Sequence, residues 1–467
     1  MKRTASISVR PDLLSVVGVF AAVLLALSLA SPAQTTVVIV FCACLVLGLV
    51  FWLPPHLFLG GTLAVLASSS AFEQHFISVG GSKVYTLDLV IALILLRAAL
   101  PRERRPTQLR VFDSSVAIPV ALVAVIMFIA GLRGSLAGNT LGAVARLETP
   151  LVYVPLAYWG FTRILGEVAV SIPRVVRALV VTSLAFVGYA AVARLTHHRF
   201  GAPSGSGIGG VETTAGLLRR DYGFFSAFQL YALLALGGLS YLFFSRRAAL
   251  SAYLVSGVGV AATLLTLVRG LIFGVAAGTL WLLLLSRRTR RPVKLGWRIL
   301  PLVAVGAVAA ILFATFSPAA ARGVTERLLP GVLTQTSLAD ANTEYRIKAL
   351  QAGEHVAWNA PFGLGFVQPQ ALDSAGYPPI YIPHSQWGSL LVFTGWPGVI
   401  ALGWAGLALL RRSARLPAAV PWLHPFVAAT VLLVVVQGSG WDVLFSQTWS
   451  LGMIALVLAL RFGLRTS

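Results

Sequence analysis

Four arginines and one histidine are the side chains of this chain that could carry chemistry. The arginines are Arg219, Arg220, Arg269 and Arg346, and the histidine is His384. A guanidinium keeps its charge and binds phosphate oxygens through two parallel hydrogen bonds. A neutral imidazole can accept a proton from a hydroxyl near pH 7. If these groups face one cavity, they could hold a diphosphate leaving group and activate a sugar hydroxyl.

Four of these five residues also have a purely structural interpretation. Arg269 lies between two apolar runs, where a charge is costly unless it is paired or solvated, but a long side chain can also extend to water. Arg219 and Arg220 could be a solvated pair beside the membrane. His384 could belong to an interfacial belt with Trp387.

The elements that must position these residues are membrane-spanning helices. The chain is 57% hydrophobic and 11% charged, whereas soluble domains contain roughly 45–50% apolar and 25% charged residues. Apolar runs of about 20 residues are long enough to cross the hydrocarbon core. We therefore expect an all-α, polytopic helical membrane protein with about 12–14 transmembrane helices. The predicted spans are 12–30, 35–53, 57–72, 84–100, 114–132, 149–165, 175–194, 223–244, 249–268, 270–286, 297–316, 385–410, 420–437 and 443–461.

These spans divide the chain into three parts. We predict an N-terminal transmembrane bundle over 1–316, with about 11 spans and an outer loop near 195–222, an extracytoplasmic loop over 317–384 and C-terminal helices over 385–467. Cys42 and Cys44 lie in one apolar span and are interpreted as small buried residues. No Cys/His spacing typical of zinc is present in the sequence.

The distribution of basic residues predicts the orientation. The net charge is +21, yet about two thirds of the Lys and Arg residues fall in the segments that would be cytoplasmic if the N-terminus were inside. This pattern predicts cytoplasmic termini and argues against nucleic acid as the partner. The 317–384 loop then faces outward, and so do all five candidate residues.

The long loop carries one strong helix pattern. Asn342 or Thr343 can cap a helix that runs to about Trp358, and Pro361 stops it. Its predicted apolar face, which would pack on the outer ends of the membrane helices, consists of Tyr345, Ala349, Ala352 and Val356.

Four segments in this order resemble the O-antigen ligase and O-antigen polymerase family of bacterial membrane glycosyltransferases, over about residues 215–400. They are Arg219-Arg220-Asp221-Tyr222-Gly223-Phe224-Phe225; Leu267-Val268-Arg269-Gly270; Tyr345-Arg346 through Trp358 to Ala360-Pro361-Phe362-Gly363-Leu364-Gly365-Phe366; and His384-Ser385-Gln386-Trp387 through Phe393-Thr394-Gly395-Trp396-Pro397-Gly398. Two positions depart from the family pattern, because Ser385 replaces the usual Asn and Val268 replaces the Ser before Arg269.

The resemblance implies a metal-independent enzyme of the bacterial inner membrane that needs no cofactor. It implies transfer of a glycan from a polyprenyl diphosphate carrier to an acceptor hydroxyl on a glycan or glycolipid. In this interpretation Arg269 and Arg346, with Arg219 or Arg220, hold the diphosphate, and His384 orients or deprotonates the acceptor. The motifs do not separate a ligase from a polymerase, nor do they identify the sugar.

Two other classes of function fit the same spans. A transporter or flippase for lipid-linked or anionic solutes could use the outer arginines as a binding vestibule. Transporters place ionisable residues at mid-membrane, whereas Asp88, Asp113, Glu148 and Asp442 fall near span ends here. A non-catalytic scaffold of the cell envelope would explain the spans but gives no reason for the outer arginines.

Overall fold

A computed structural model describes the fold over most of the membrane helices. The described residues are 53–67, 75–79, 82–100, 114–137, 172–195, 228–245, 250–265, 269–288, 338–366, 386–414 and 421–438, with individual residues between 153 and 167.

Ten helices and one hairpin make up the elements with stated bounds in this described part. The hairpin pairs β1 (His75–Val79) with β2 (Ser82–Tyr85). The helices are α1 (Pro55–Ala67), α2 (Thr86–Ala99), α3 (Ser114–Leu136), α4 (Ile172–Leu195), α5 (Phe228–Phe244), α6 (Leu250–Leu265), α7 (Arg269–Arg288), α8 (Leu338–Asn359), α9 (Gln386–Ala414) and α10 (Leu423–Gly438).

The expectation of a helical membrane protein is confirmed. Within the described ranges, three helices are long and apolar enough to cross a membrane, and they lie in α3, α7 and α9. Shorter apolar helices occur in α2, α5, α6 and α10. Apart from α8, every one of the ten helices coincides with a predicted span to within a few residues. Within the described ranges, the antiparallel hairpin departs from the all-helical pattern. Gly80 and Gly81 separate its strands in the sequence, and Gly-Gly is a favoured hairpin connection.

Small residues allow the membrane helices to approach closely. On α6, a Cβ added to Gly259 would lie 2.9 Å from the Cα of Ala235 on α5. On α7, a Cβ added to Gly278 would lie 3.1 Å from the carbonyl oxygen of Ala429 on α10. Such contacts are typical of helix association in lipid, where van der Waals packing replaces the hydrophobic driving force. They make α5 a central helix, packed against α6, α7 and α10.

One basic residue from a segment predicted to be cytoplasmic is buried in the bundle. Arg97 is one of the basic residues counted for the orientation, and its side chain is 0% exposed at the end of α2. Its Nη2 lies 3.2 Å from Oε2 of Glu167, which is 6% exposed. A buried charge needs a partner of opposite sign, so this arginine joins two parts of the bundle instead of marking a loop.

Candidate functional site

Arg269 is the first residue of α7, in a position that the backbone fixes. Its side chain lies outside the described part of the structure. The next residue, Gly270, lies against the end of α10: a Cβ added to it would be 3.7 Å from the carbonyl oxygen of Gln437. The beginning of α7 therefore packs beside the last turn of α10. The first four N–H groups of a helix lack helical partners, and the helix dipole gives this end a partial positive charge.

The beginning of α9 meets the same end of α10. The indole Nε1 of Trp387 donates to the carbonyl oxygen of Val435 at 3.3 Å. His384 comes two residues before α9 in the sequence and lies outside the described residues. The starts of α7 and α9 are thus both anchored on residues 435–437 of α10.

The first two arginines of the predicted set also lie outside the described residues. Arg219 and Arg220 precede α5, which begins at Phe228. The α5 and α7 helices both run antiparallel to α10 and therefore run in the same direction. On α7, Gly270 and Gly274 lie against Gln437 and Leu433 of α10 in turn. On α5, Gly237 lies against Phe426, and Ser240 donates to the carbonyl oxygen of Trp422 just before α10. Gly278 of α7 packs against Leu236 of α5 at a similar distance from each helix start. The start of α5 is therefore at the same end of the bundle as the start of α7.

The backbone of Arg346 lies in the first half of α8, and its side chain is not among those described. This helix crosses the first part of α9 at two glycines, since a Cβ on Gly353 would lie 2.7 Å from the Cα of Gly388. Further along, the rings of Trp358 and Trp396 meet edge to face, with centroids 5.4 Å apart. Both segments therefore run in the same direction from the crossing, and Arg346 lies about 10 Å before it along the helix.

The helix in the long loop is confirmed, with an earlier start than expected. It begins at Leu338 instead of Asn342 or Thr343 and ends at Asn359. Asp340 falls in its first turn, where a negative charge favours the helix dipole. Ala349 and Val356 are buried and Ala352 is partly buried, as the predicted apolar face requires. The side chain of Tyr345 lies outside the part of the chain that the structure describes.

The segment after α8 docks on a break in α9. At Gly395 the backbone leaves the helix, with φ 64° and ψ −158°. Around this break Leu364 N–H donates to Val392 O at 2.7 Å, and Gly365 N–H donates to Phe393 O at 3.1 Å. In return, Trp396 N–H donates to Pro361 O at 3.0 Å.

The amino-acid sequence explains this exchange of backbone hydrogen bonds. In an uninterrupted helix the carbonyl of residue 393 would accept from the N–H of residue 397, but Pro397 has none. The carbonyl of Val392 would accept from Trp396, whose N–H is directed to Pro361 instead. The two carbonyls are therefore free to bind Leu364 and Gly365, so that the docked segment completes the broken helix.

An apolar cluster supports the docked segment. Phe366 is buried against Phe393, with ring centroids 4.9 Å apart, and Val356 of α8 belongs to the same cluster. The α3 helix supplies Met127 and Ala130. The Pro-Phe-Gly-Leu-Gly-Phe element thus joins α3, α8 and α9 into one unit.

Two residues near these contacts were not predicted from the sequence. Arg133, at the end of α3, donates from Nη1 to Phe362 O at 2.7 Å. Gln437 is buried in the last turn of α10 beside α7. Only their positions in the sequence could have indicated these two residues, since each is a polar residue at the end of an apolar span. Within the part of the chain that the structure describes, no group of three or more His, Cys, Asp or Glu side chains could hold a metal ion.

Helix lengths, apolar composition and small-residue packing define this chain as a polytopic helical membrane protein. Residues 254–403, from within α6 to the middle of α9, match the family described as O-antigen ligase, which confirms the family resemblance. We refer to these matched residues as the O-antigen ligase region. No curated protein matches the chain. The match contains Arg269, Arg346 and His384; Arg219 and Arg220 precede it.

Proposed function

We propose that the protein transfers a glycan from a polyprenyl diphosphate carrier to an acceptor hydroxyl on the extracytoplasmic face of the bacterial inner membrane. The O-antigen ligase region supports a membrane glycosyl-transfer role in polysaccharide biosynthesis. The donor, the acceptor and the residues that act on them are our proposal.

The observation that carries the proposal is the meeting of three helix ends. The first turn of α7 and the first turn of α9 both contact residues 435–437 of α10. Arg269 opens α7, and His384 precedes α9 by two residues. This arrangement supports a pocket that contains a guanidinium and an imidazole, on the side where the basic-residue pattern predicts the cell exterior.

The proposed step is a substitution at the anomeric carbon of the donor sugar. The acceptor oxygen attacks this carbon with inversion, and His384 takes the hydroxyl proton. The bond between the anomeric carbon and the diphosphate oxygen breaks, and that oxygen keeps the electron pair. Arg269 and Arg346, with Arg219 or Arg220, neutralise the negative charge that develops on the departing diphosphate.

The test is a transfer assay with purified protein in detergent, supplied with lipid-linked glycan and EDTA. We expect transfer by the parent, and a loss of about 10²–10⁴-fold in His384→Ala because proton transfer is removed. We expect Arg269→Ala to lose more activity than Arg269→Lys, which keeps the charge but not the bidentate geometry. Turnover in detergent would exclude a function that is transport alone. Undiminished transfer by both alanine variants would contradict the mechanism.

The same assay separates the two reactions of the family. A lipid-anchored core sugar as acceptor would define a ligase, and a second lipid-linked repeat would define a polymerase. Both acceptors are therefore offered to the parent in parallel.

A further inference from the structure

Among the described residues, the buried carboxamide of Gln437 has no hydrogen-bond partner. The residue is 0% exposed, and neither Nε2 nor Oε1 makes a hydrogen bond in the part of the chain that the structure describes. Burying an amide without compensating hydrogen bonds costs free energy. An apolar side chain would avoid that cost, as Leu433 does one turn earlier, where it packs on Gly274.

Other buried hydroxyls of α9 and α10 are satisfied locally. Thr430 donates to Phe426 O at 2.8 Å on the same helix, and Thr394 on α9 donates to Leu390 O at 2.7 Å. These side chains use carbonyls of their own helices, which a glutamine at the end of α10 does not do. The amide of Gln437 is therefore available to a group from outside the helices.

The surroundings of the amide indicate which group that is. A Cβ on Gly270 would lie 3.9 Å from Cγ of Gln437, so the side chain lies beside the first turn of α7. The first N–H groups of a helix have no partners within the helix, and together with the positive end of the helix dipole they favour an anionic oxygen there. The amide carries both a donor and an acceptor. A sugar diphosphate matches both, because its phosphate oxygens accept and its sugar hydroxyls donate.

We infer that Gln437 binds the junction between diphosphate and sugar in the lipid-linked donor. Its Nε2 donates to a phosphate oxygen, and its Oε1 accepts from a hydroxyl of the first sugar. This inference rests on the proposed function for the identity of the donor. It adds a substrate-binding residue, on a helix outside the O-antigen ligase region.

The experiment compares Gln437→Leu with a control on the same helix, Thr430→Val, whose hydroxyl is satisfied within the helix. Thermal unfolding is measured without ligand, and affinity is measured for lipid-linked glycan, polyprenyl diphosphate and inorganic pyrophosphate. We expect Gln437→Leu to keep or raise the unfolding temperature, since an unpaired buried amide is removed. We expect its affinity for lipid-linked glycan to fall about tenfold, or 1.4 kcal/mol. Thr430→Val should bind as the parent does.

The three ligands distinguish the sources of the anion. Polyprenyl diphosphate should lose less affinity than the glycan form in Gln437→Leu, because it lacks the sugar hydroxyl. An equal loss for pyrophosphate and for lipid-linked glycan would overturn the assignment and indicate a general anion site. The second variant, Gln437→Glu, keeps the size of the side chain but brings a negative charge to the phosphate, and should bind more weakly than Gln437→Leu.

Failure of this inference differs from failure of the proposed function. A parent that binds lipid-linked glycan through Gln437 but transfers nothing would contradict the proposed function alone. Transfer by Gln437→Leu with the KM of the parent would overturn the inference alone. A lower unfolding temperature together with unchanged affinity would also overturn it, because the amide would then have a structural partner.

Discussion

At the scale of single residues, Arg133 secures the turn that follows α8. Its guanidinium donates to Phe362 O at 2.7 Å, across a long separation in sequence. The Phe362 carbonyl belongs to the segment that docks on the break in α9. One charged side chain of α3 thus holds a peptide group that lies between α8 and α9.

Replacement of Arg133 by Leu should therefore weaken the docked segment. Because the arginine is exposed, we expect a loss of only about 1 kcal/mol in the free energy of unfolding. The control is Arg174→Leu on α4, an exposed arginine for which no hydrogen bond is found within the described residues. Chemical unfolding in detergent measures both variants. Equal stability of the two would mean that the bond to Phe362 contributes nothing.

At the scale of elements, the break in α9 depends on a glycine with positive φ. Gly395 has φ 64°, a conformation that L side chains rarely adopt, and a Cβ there would collide with Pro361 O. The close approach of these two backbones is what allows Trp396 N–H to reach Pro361 O.

Gly395→Ala should consequently separate the docked segment from α9. We expect a loss of about 3 kcal/mol in the free energy of unfolding, from backbone strain and steric overlap. Gly403→Ala is the matched control on the same helix, since no atom lies within 4 Å of its added Cβ. The control should be neutral or slightly stabilising, because alanine favours helix. A tolerated Gly395→Ala would contradict this account of the break.

The sequence predicts these elements to different degrees. The membrane helices follow from apolar runs, since the bilayer sets their length. The apolar face of α8 follows from helical spacing, and Pro361 marks its end. The break at Gly395 could not be predicted, because a glycine and a proline in an apolar span are tolerated when other groups satisfy the freed backbone. Those groups are Leu364 and Gly365, which only the tertiary fold brings there.

The candidate site was predicted from residue types. The residues that the sequence alone did not reveal are polar side chains buried in apolar surroundings. Arg269 stood out as a charge between two spans. Gln437 carries no charge, so a search of the spans for ionisable residues does not detect it. Its burial beside Gly270 depends on how α7 packs on α10, which a single sequence does not specify. Arg97 shows the opposite case, since basic-residue counting cannot distinguish a solvated arginine from one paired with Glu167.

At the scale of the whole molecule, the proposed pocket requires several helix starts to converge at one end of the bundle. The α5 and α7 helices begin at a similar height along the bundle, and the first turns of α7 and α9 both contact the last turn of α10. The α8 helix, which carries Arg346, crosses α9 near its beginning. Helices α5, α7, α8 and α9, which come from separate stretches of sequence, therefore all have their first parts at this end of the bundle. A diphosphate pocket built from distant arginines requires such an arrangement.

The most direct test of this convergence is a cross-linking measurement on Arg269→Cys combined with His384→Cys, in a background with Cys42→Ser and Cys44→Ser. A short bismaleimide should join the two positions within one chain, because the account places them in the same pocket. The control pairs His384→Cys with Arg287→Cys, at the opposite end of α7 and about 27 Å from its start, and it should not cross-link. Absence of a cross-link in the first pair, when both positions react with a monofunctional maleimide, would contradict the shared pocket.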